Sequence, residues 1–235
     1  MSRLMAAILV CTFSLLAAAE EEPKLWETSV ELGAVFTTGN TEQENVKFRV
    51  DSKRTKDVWV NTMHLDTYRA SEDGDDTAKK LYTFYRLDYK LTDESSVFGR
   101  LAYEDDEFSG FDSQTDLTVG YNRTLLRKET LFITGDVGVG ARRLEVTDGD
   151  SSTEALLRLA GLLEWNIGEN SLFTQALGFE IGEDLTTTRS ETALQTIIVG
   201  DLSMKIAVAV KHNSEVPAGK EKTDTESTVT LVYKF

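Results

Sequence analysis

Apolar residues recur at every second position through most of the chain after residue 25. In residues 227–235, for example, Leu231, Tyr233 and Phe235 fall on one side of an extended strand, and Val232 is a mismatch to the pattern. A strand that ends on aromatic residues is typical of a barrel whose closing strand lies at a membrane interface. Earlier segments repeat this alternation, so the pattern belongs to the whole chain.

Twelve segments follow the period of two better than a helical period, which predicts an all-β fold. They span residues 26–36, 45–51, 58–69, 80–91, 97–104, 115–121, 131–139, 157–167, 173–181, 194–198, 204–211 and 227–235. The third segment mixes its faces, since Val58 and Val60 point one way and Trp59, Met63 and Leu65 the other, and a β-bulge would reconcile them. The tenth segment shows only weak contrast between apolar and polar positions. The register of the third and tenth strands therefore stays open.

The connections between segments alternate in length. Loops after odd segments are long and mostly acidic, at residues 37–44, 70–78, 105–113, 146–153, 182–189 and 215–226. Turns after even segments are short, at residues 53–57, 92–96, 127–130, 168–171 and 200–203. Outer-membrane barrels have short periplasmic turns and longer outer loops, so we predict a transmembrane up-and-down antiparallel β-barrel of about 12 strands. A soluble periplasmic barrel or β-sandwich is the alternative interpretation.

Aromatic residues near the segment ends predict the two interfacial girdles of such a barrel. The short-turn girdle would contain Trp26, Tyr89, Trp165, Tyr233 and Phe235. The long-loop girdle would contain Phe36, Tyr68 and Tyr103. The terminal Tyr233 and Phe235 also resemble the endings that the barrel-assembly machinery reads.

The first residues have the features of a secretory signal peptide. Arg3 precedes an apolar run from Leu4 to Leu16, and small residues follow up to Ala19. We therefore divide the chain into a signal peptide at residues 1–19 and a barrel domain at residues 20–235. The single cysteine, Cys11, lies in the apolar run, so the mature chain would contain no disulfide.

The net charge of −15 makes nucleic acid a poor partner, because its phosphates would be repelled. Two groups of ten charged residues would face the lumen by parity. The basic group is Lys47, Arg49, Arg86, Lys90, Arg100, Arg142, Arg158, Lys205, Lys211 and Lys234. The acidic group is Glu27, Glu31, Asp51, Asp88, Glu104, Asp116, Asp136, Glu164, Glu180 and Asp201. Balanced charge predicts a lumen filled by ion pairs or a narrow polar path, because a strongly ion-selective pore would favour one sign.

Three short stretches resemble the DUF481 family of YdiY-like, salt-induced outer-membrane proteins. They are T-T-G-N-T at residues 37–41, N-S-E at residues 213–215 with Pro217 and T-D-T at residues 223–225, and the ending Y-K-F at residues 233–235. The resemblance runs from about Trp26 to Phe235 and implies a location in the outer membrane. It implies no catalytic residue and no substrate.

The sequence carries no phosphate loop, no cysteine cluster and no His-Glu-x-x-His motif, so we assign no catalytic, cofactor-binding or metal-binding residue. His212 and Ser214 share one strand face, as the histidine and serine of outer-membrane phospholipases do. Acyl transfer also needs an orienting third group and an oxyanion hole, and neither is evident. A lipid hydrolase that uses this pair is therefore the alternative to a structural or narrow diffusion barrel.

Acidic loop residues suggest a further set of partners, since carboxylates are ligands for hard divalent cations. They are Glu72, Asp73, Asp75 and Asp76; Glu104 to Glu107; and Asp148, Asp150 and Glu154. The predicted partners are thus outer-membrane lipids, lipopolysaccharide, divalent cations at these loops and the assembly machinery. No loop has the ligand spacing of an EF-hand, so such a cation site would be shallow.

Overall fold

The computed structural model describes residues 25–38, 44–72, 75–106, 111–146 and 151–235. Twelve strands run through them: β1 (Trp26–Thr38), β2 (Glu44–Lys56), β3 (Trp59–Glu72), β4 (Asp75–Thr92), β5 (Ser95–Asp106), β6 (Phe111–Arg127), β7 (Leu131–Val146), β8 (Ser151–Asn166), β9 (Ser171–Ile181), β10 (Thr186–Val199), β11 (Leu202–Asn213) and β12 (Thr223–Lys234). Neighbouring strands pair antiparallel, and β12 returns to β1 to close the barrel. The predicted all-β up-and-down barrel is confirmed and a sandwich is excluded. The predicted signal peptide lies outside the described residues.

The last strand closes the barrel through a long pairing. β1 and β12 stay in register from Ser29 opposite Lys234 to Thr38 opposite Thr225. The N–H of Phe235 adds a bond of 2.8 Å to the carbonyl oxygen of Thr28. A closed barrel has no edge strand, so strand backbone groups find partners on both sides, as they must within a bilayer.

The outer face of the barrel is apolar on all twelve strands. On β11, Met204, Ile206 and Val208 are exposed, whereas Lys205 and Lys211 on the alternate positions are buried inside. Such a continuous apolar surface is unfavourable in water and matches the lipid-facing band of a transmembrane barrel. No membrane-crossing helix occurs in the part of the chain that the structure describes.

The five aromatic side chains of the predicted short-turn girdle are each at least 40% exposed, as a girdle requires. The long-loop girdle is wrong at Tyr68, which points into the lumen and is 7% exposed. Its ring centroid lies 6.0 Å from the Lys80 ammonium. Tyr103 is partly buried, and the side chain of Phe36 lies outside the described residues.

The two ambiguous strands have simple explanations. Val58 belongs to the turn before β3, not to the strand, so Val60 faces inward and Met63 outward without a bulge between them. The register shift in the β3–β4 pair lies farther along, between Ala70 and Ser71. β10 begins much earlier than predicted, at Thr186, and carries its irregularity at its other end, between residues 197 and 199.

Several predicted loops are wrong because the strands extend into them. The segment 182–189 shrinks to residues 182–185, and the segment 215–226 to residues 214–222. Glu104, Asp106 and Glu154 lie on strands with their side chains buried, not in exposed loops. Glu72, Asp75 and Asp76 also lie on strands, whereas Asp73, Glu107, Asp148 and Asp150 lie outside the described residues. Where a strand continues past the membrane, its outer face contacts water instead of lipid. Its outward positions are then polar, and the alternation of apolar and polar residues that predicts the strand disappears.

A charge on the outer face tests the membrane interpretation. Val139 lies near the middle of β7 and is 59% exposed, and Val199 ends β10 and is 67% exposed. We expect Val139→Arg to lower the free energy of unfolding of the protein in lipid vesicles by about 2–4 kcal/mol. Val199→Arg, near the interface, should lower it by about 0–1 kcal/mol. Urea titrations of the refolded proteins measure both values. In a soluble barrel the two substitutions would have equal, negligible effects.

Candidate functional site

The lumen holds the chemistry of this chain. Fifteen of the twenty predicted charged positions make ion pairs or hydrogen bonds inside it: Glu31, Lys47, Arg49, Asp51, Arg86, Asp88, Arg100, Glu104, Asp116, Asp136, Arg142, Arg158, Glu180, Lys205 and Lys211. Lys90 and Glu164 line its cavity near the short turns. Glu27, Asp201 and Lys234 are wrong predictions, since they are exposed at the barrel's short-turn end.

One cluster surrounds the carboxylate of Glu180 near the long-loop end. The Arg158 Nη1 atom donates to Glu180 Oε1 at 2.6 Å, and Arg142 Nη2 and Arg189 Nε each lie 3.4 Å from Oε2. Arg100 Nη1 is 3.7 Å from Oε1. Arg142 also forms a two-bond pair with Asp116, at 2.8 and 2.9 Å.

Glu104 extends this cluster across the barrel. Its carboxylate accepts a hydrogen bond from Lys211 Nζ at 2.8 Å and another from Arg189. Glu104 lies on β5 and Lys211 on β11, and five strands separate these two in either direction around the barrel. The contact therefore crosses the full lumen. We call the groups around Glu180 and Glu104, with Arg142, Arg189 and Lys211, the plug.

A second cluster joins β1, β2, β3, β4, β10, β11 and β12. Glu226 accepts hydrogen bonds from Lys47, at 2.9 Å, and from Lys80. Arg49 contacts Glu191 through two bonds of 2.7 and 3.0 Å. Further bonds run from Arg49 to Asp66 and from Lys205 to Glu31 and Glu191. Charged groups that leave water need such partners, because an unpaired buried charge costs several kcal/mol.

A third cluster lies toward the short-turn end. Arg86 donates to Asp88 at 2.8 Å and to Asp136 at 2.5 Å, and its guanidinium carbon lies 4.0 Å from the Phe98 ring centroid. Phe98 itself needs a glycine beside it, because a Cβ atom at Gly120 would lie 2.6 Å from its ring. The glycine thus leaves room for an aromatic ring on the inner side of the barrel.

The turn between β9 and β10 folds over the plug. Leu185 is 2% exposed, and its carbonyl oxygen accepts a bond of 3.2 Å from Arg142 Nη1. The backbone N–H of Asp184 donates to the Glu154 carboxylate at 2.7 Å. This turn, predicted as an exposed acidic loop, instead contributes a buried leucine and two backbone contacts to the closed end of the barrel.

Below the plug lies a cavity of about 820 Å³. It reaches the short β4–β5 turn at Thr92–Ser95, and its other end is lined by Arg189, Lys211 and Glu226. The plug residues Glu104, Glu180 and Arg142, which lie beyond the cavity, are at most 3% exposed. The lumen is therefore open toward the short turns and obstructed by ion pairs toward the long loops.

Sequence reasoning missed Lys80, Arg189, Glu191 and Glu226, which hold the clusters together. Arg189 and Glu226 were assigned to loops, and Glu191 fell outside the predicted tenth strand. The signal was present in the tenth strand, since Arg189, Glu191, Ala193 and Gln195 share the parity of a lumen face. It was masked by polar residues on both faces of the first part of β10.

The structure does not bring His212 and Ser214 into one hydrogen bond. The ring of His212, exposed on the outer face, contacts the Thr223 hydroxyl at 2.8 Å through Nδ1. The Ser214 hydroxyl accepts the backbone N–H of Thr186 at 2.9 Å. No group of three or more His, Cys, Asp or Glu side chains suited to a metal occurs in the described ranges.

A family model described as "protein of unknown function, DUF481" matches residues 30–235. The chain belongs to the DUF481 family. It is 28% identical over 213 residues to the uncharacterized protein YdiY of Escherichia coli (strain K12), covering 90% of this chain and 84% of that one.

Solved structures share the fold of this DUF481 chain. The NanC porin superposes with a TM-score of 0.60 at 14% identity, covering 88% of this chain and 100% of the porin. The translocator domain of the autotransporter NalP from Neisseria meningitidis gives 0.53 at 11% identity, covering 92% and 90%. The KdgM porin gives 0.52 at 10% identity, covering 88% and 99%. At these identities the likeness concerns the fold alone.

The plug makes a prediction about stability. Glu104 is 3% exposed, and its replacement by glutamine removes the carboxylate that Arg189 and Lys211 share, leaving Lys211 only Asp106, at 3.6 Å, among the described residues. We expect Glu104→Gln to lower the free energy of unfolding by about 3–5 kcal/mol, the usual cost of removing one partner of a buried pair. Urea titration in detergent micelles measures this change. Glu94→Gln in an exposed turn is the control, and equal values for both would contradict the ion-pair account.

Proposed function

We propose that this protein is a non-enzymatic outer-membrane barrel of a Gram-negative envelope, structural in role or a narrow diffusion channel for small ions. The observation that carries the proposal is the contact of Glu104 with Lys211 across the full lumen. The apolar belt on every strand and the fold shared with porins support the membrane location.

Low conductance follows from the electrostatics of the plug. A permeating ion would have to replace short, buried ion pairs that exclude water, and separating such pairs leaves uncompensated charge. Both signs line the path, so neither cations nor anions gain a clear preference. The barrel therefore differs from an open porin with a water-filled channel.

The environment of His212 and Ser214 supports the non-enzymatic proposal. Each side chain hydrogen-bonds a group other than its predicted partner, and the histidine ring points to the lipid side. A hydrolase would need a base within hydrogen-bond reach of the serine hydroxyl.

The proposed partners are lipids along the apolar belt, lipopolysaccharide and divalent cations at the long-loop end, and the assembly machinery at the C-terminus. Tyr233 and Phe235 pack edge to face with ring centroids 4.8 Å apart, and Phe235 is 63% exposed. This exposed pair next to the closing strand is available for recognition before insertion. Secretion through the signal peptide at residues 1–19 and induction by salt or stress belong to the same proposal.

Planar-bilayer recording tests the closed lumen. We expect the unaltered protein to show a small, weakly selective conductance, and Glu104→Ala/Lys211→Ala to raise it several-fold, because the double change removes the cross-lumen contact without changing net charge. The control is Arg143→Ala/Glu145→Ala, an exposed pair 3.1 Å apart near the same barrel end. A large, steady, strongly cation-selective conductance of the unaltered protein would contradict the proposal.

Cysteine labelling tests the orientation. Ala218, in the connection 214–222, and Glu94, in a short turn, are both exposed. On intact cells, a membrane-impermeant maleimide should react with Ala218→Cys and not with Glu94→Cys, since long loops face outward in outer-membrane barrels. The reverse labelling would invert the orientation, and equal labelling of both would argue against a spanning barrel.

A further inference from the structure

Two arginines at the inner end of the cavity have incomplete hydrogen bonding. Arg100 on β5 donates through Nη2 to the Tyr82 hydroxyl, and its Nη1 has no hydrogen-bond acceptor among the described residues. Arg158 on β8 donates through Nη1 to Glu180, and its Nε has no acceptor in that same part of the chain. Both line the cavity, and Arg100 is only 3% exposed.

Arg100 and Arg158 share their nearest carboxylate with other arginines. Within the plug, Asp116 forms an ion pair with Arg142, and Glu104 forms ion pairs with Arg189 and Lys211. Arg100 and Arg158 are left to share Glu180, whose other oxygen faces Arg142 and Arg189. The nearby Asp136 is held by Arg86 and Asn122. One carboxylate thus lies among four guanidinium groups.

The wall beside Arg158 leaves room for a ligand. Ala160 and Gly178 lie opposite each other on β8 and β9, two pairs along from Arg158 and Glu180, and both line the cavity with Ala176. Even a Cβ atom at Gly178 would lie 3.9 Å from Arg158 Nη1. The Phe84 ring supports Arg100, with the guanidinium carbon 4.7 Å from its centroid.

We propose that Arg100 and Arg158 form a binding site for a small oxyanion, a carboxylate or phosphate group, which enters from the short-turn end. A guanidinium presents its N–H groups in a planar fork that matches such oxyanions. Both guanidinium groups line the cavity and share the Glu180 carboxylate with Arg142 and Arg189, so their charge supplies the attraction in a partly desolvated pocket. The site goes beyond the proposed barrel function and does not depend on the plug being impermeable.

Calorimetry on the full chain refolded in detergent micelles at low salt tests the site. Glucuronate, glucose and inorganic phosphate are the probes, because the first two differ chiefly in the carboxylate. We expect saturable binding of glucuronate or phosphate and none of glucose. Arg158→Gln should weaken the affinity about tenfold or more, since it removes a charged donor. Arg143→Gln, at an exposed arginine of β7 that does not line the cavity, should leave it unchanged.

A second variant keeps the test valid if Arg158→Gln fails to fold. Ala160→Glu places a carboxylate beside Arg158 while keeping both arginines, so it should abolish anion binding and raise the midpoint of thermal unfolding. The relative affinities of glucuronate and phosphate identify which oxyanion the pocket prefers. The proposal is overturned if neither anion binds, if glucose binds equally, if Arg143→Gln weakens binding as much as Arg158→Gln, or if Ala160→Glu still binds. These outcomes are read from binding and thermal unfolding and not from conductance, so the two proposals are tested separately.

Discussion

The pairing of β12 with β1 is the constraint on which the rest of the structure depends. A sheet in a bilayer cannot leave its edge N–H and C=O groups without partners, since each would cost several kcal/mol. Closure satisfies them and fixes every side chain to one of two faces. The outer face must then be apolar, and all other chemistry is forced into the lumen. Val232 illustrates the strictness of this division, because it breaks the polar pattern of β12 yet packs inside at 1% exposure.

Filling the lumen with ion pairs follows from this division. A strand that was apolar on both faces would lose the alternation that sets its register, so inward positions are mainly polar. Polar groups inside a narrow barrel lose water and need partners, and charged partners from distant strands meet that need. Arg49 and Glu191, for example, lie on β2 and β10 and join two sides of the barrel. Each such pair also holds the barrel's cross-section in shape.

The alternation of apolar and polar positions made most of the lumen-facing residues predictable from the sequence. The positions where this rule failed have a common cause. The rule assigned Arg142, Glu180 and Lys211 to the lumen correctly, since their outward neighbours are apolar. It failed at Arg189 and Glu226, where strands rise past the apolar belt and both faces turn polar. It also assigns a face but no partner across the barrel. The contact between Glu104 and Lys211 depends on barrel diameter and strand stagger, which alternation does not encode.

Glu180 links the two ends of the lumen. Its Oε2 atom faces Arg142 and Arg189 in the plug, and its Oε1 atom faces Arg100 and Arg158 at the cavity. A group that neutralises the cavity arginines competes with Oε1 and changes the charge that the plug arginines experience through Oε2. Because binding free energies at linked sites are reciprocal, tighter ion pairing in the plug must in turn alter anion affinity in the cavity. If an anion binds the cavity arginines as proposed, the shared carboxylate would make the closed end of the barrel sensitive to what occupies the open end.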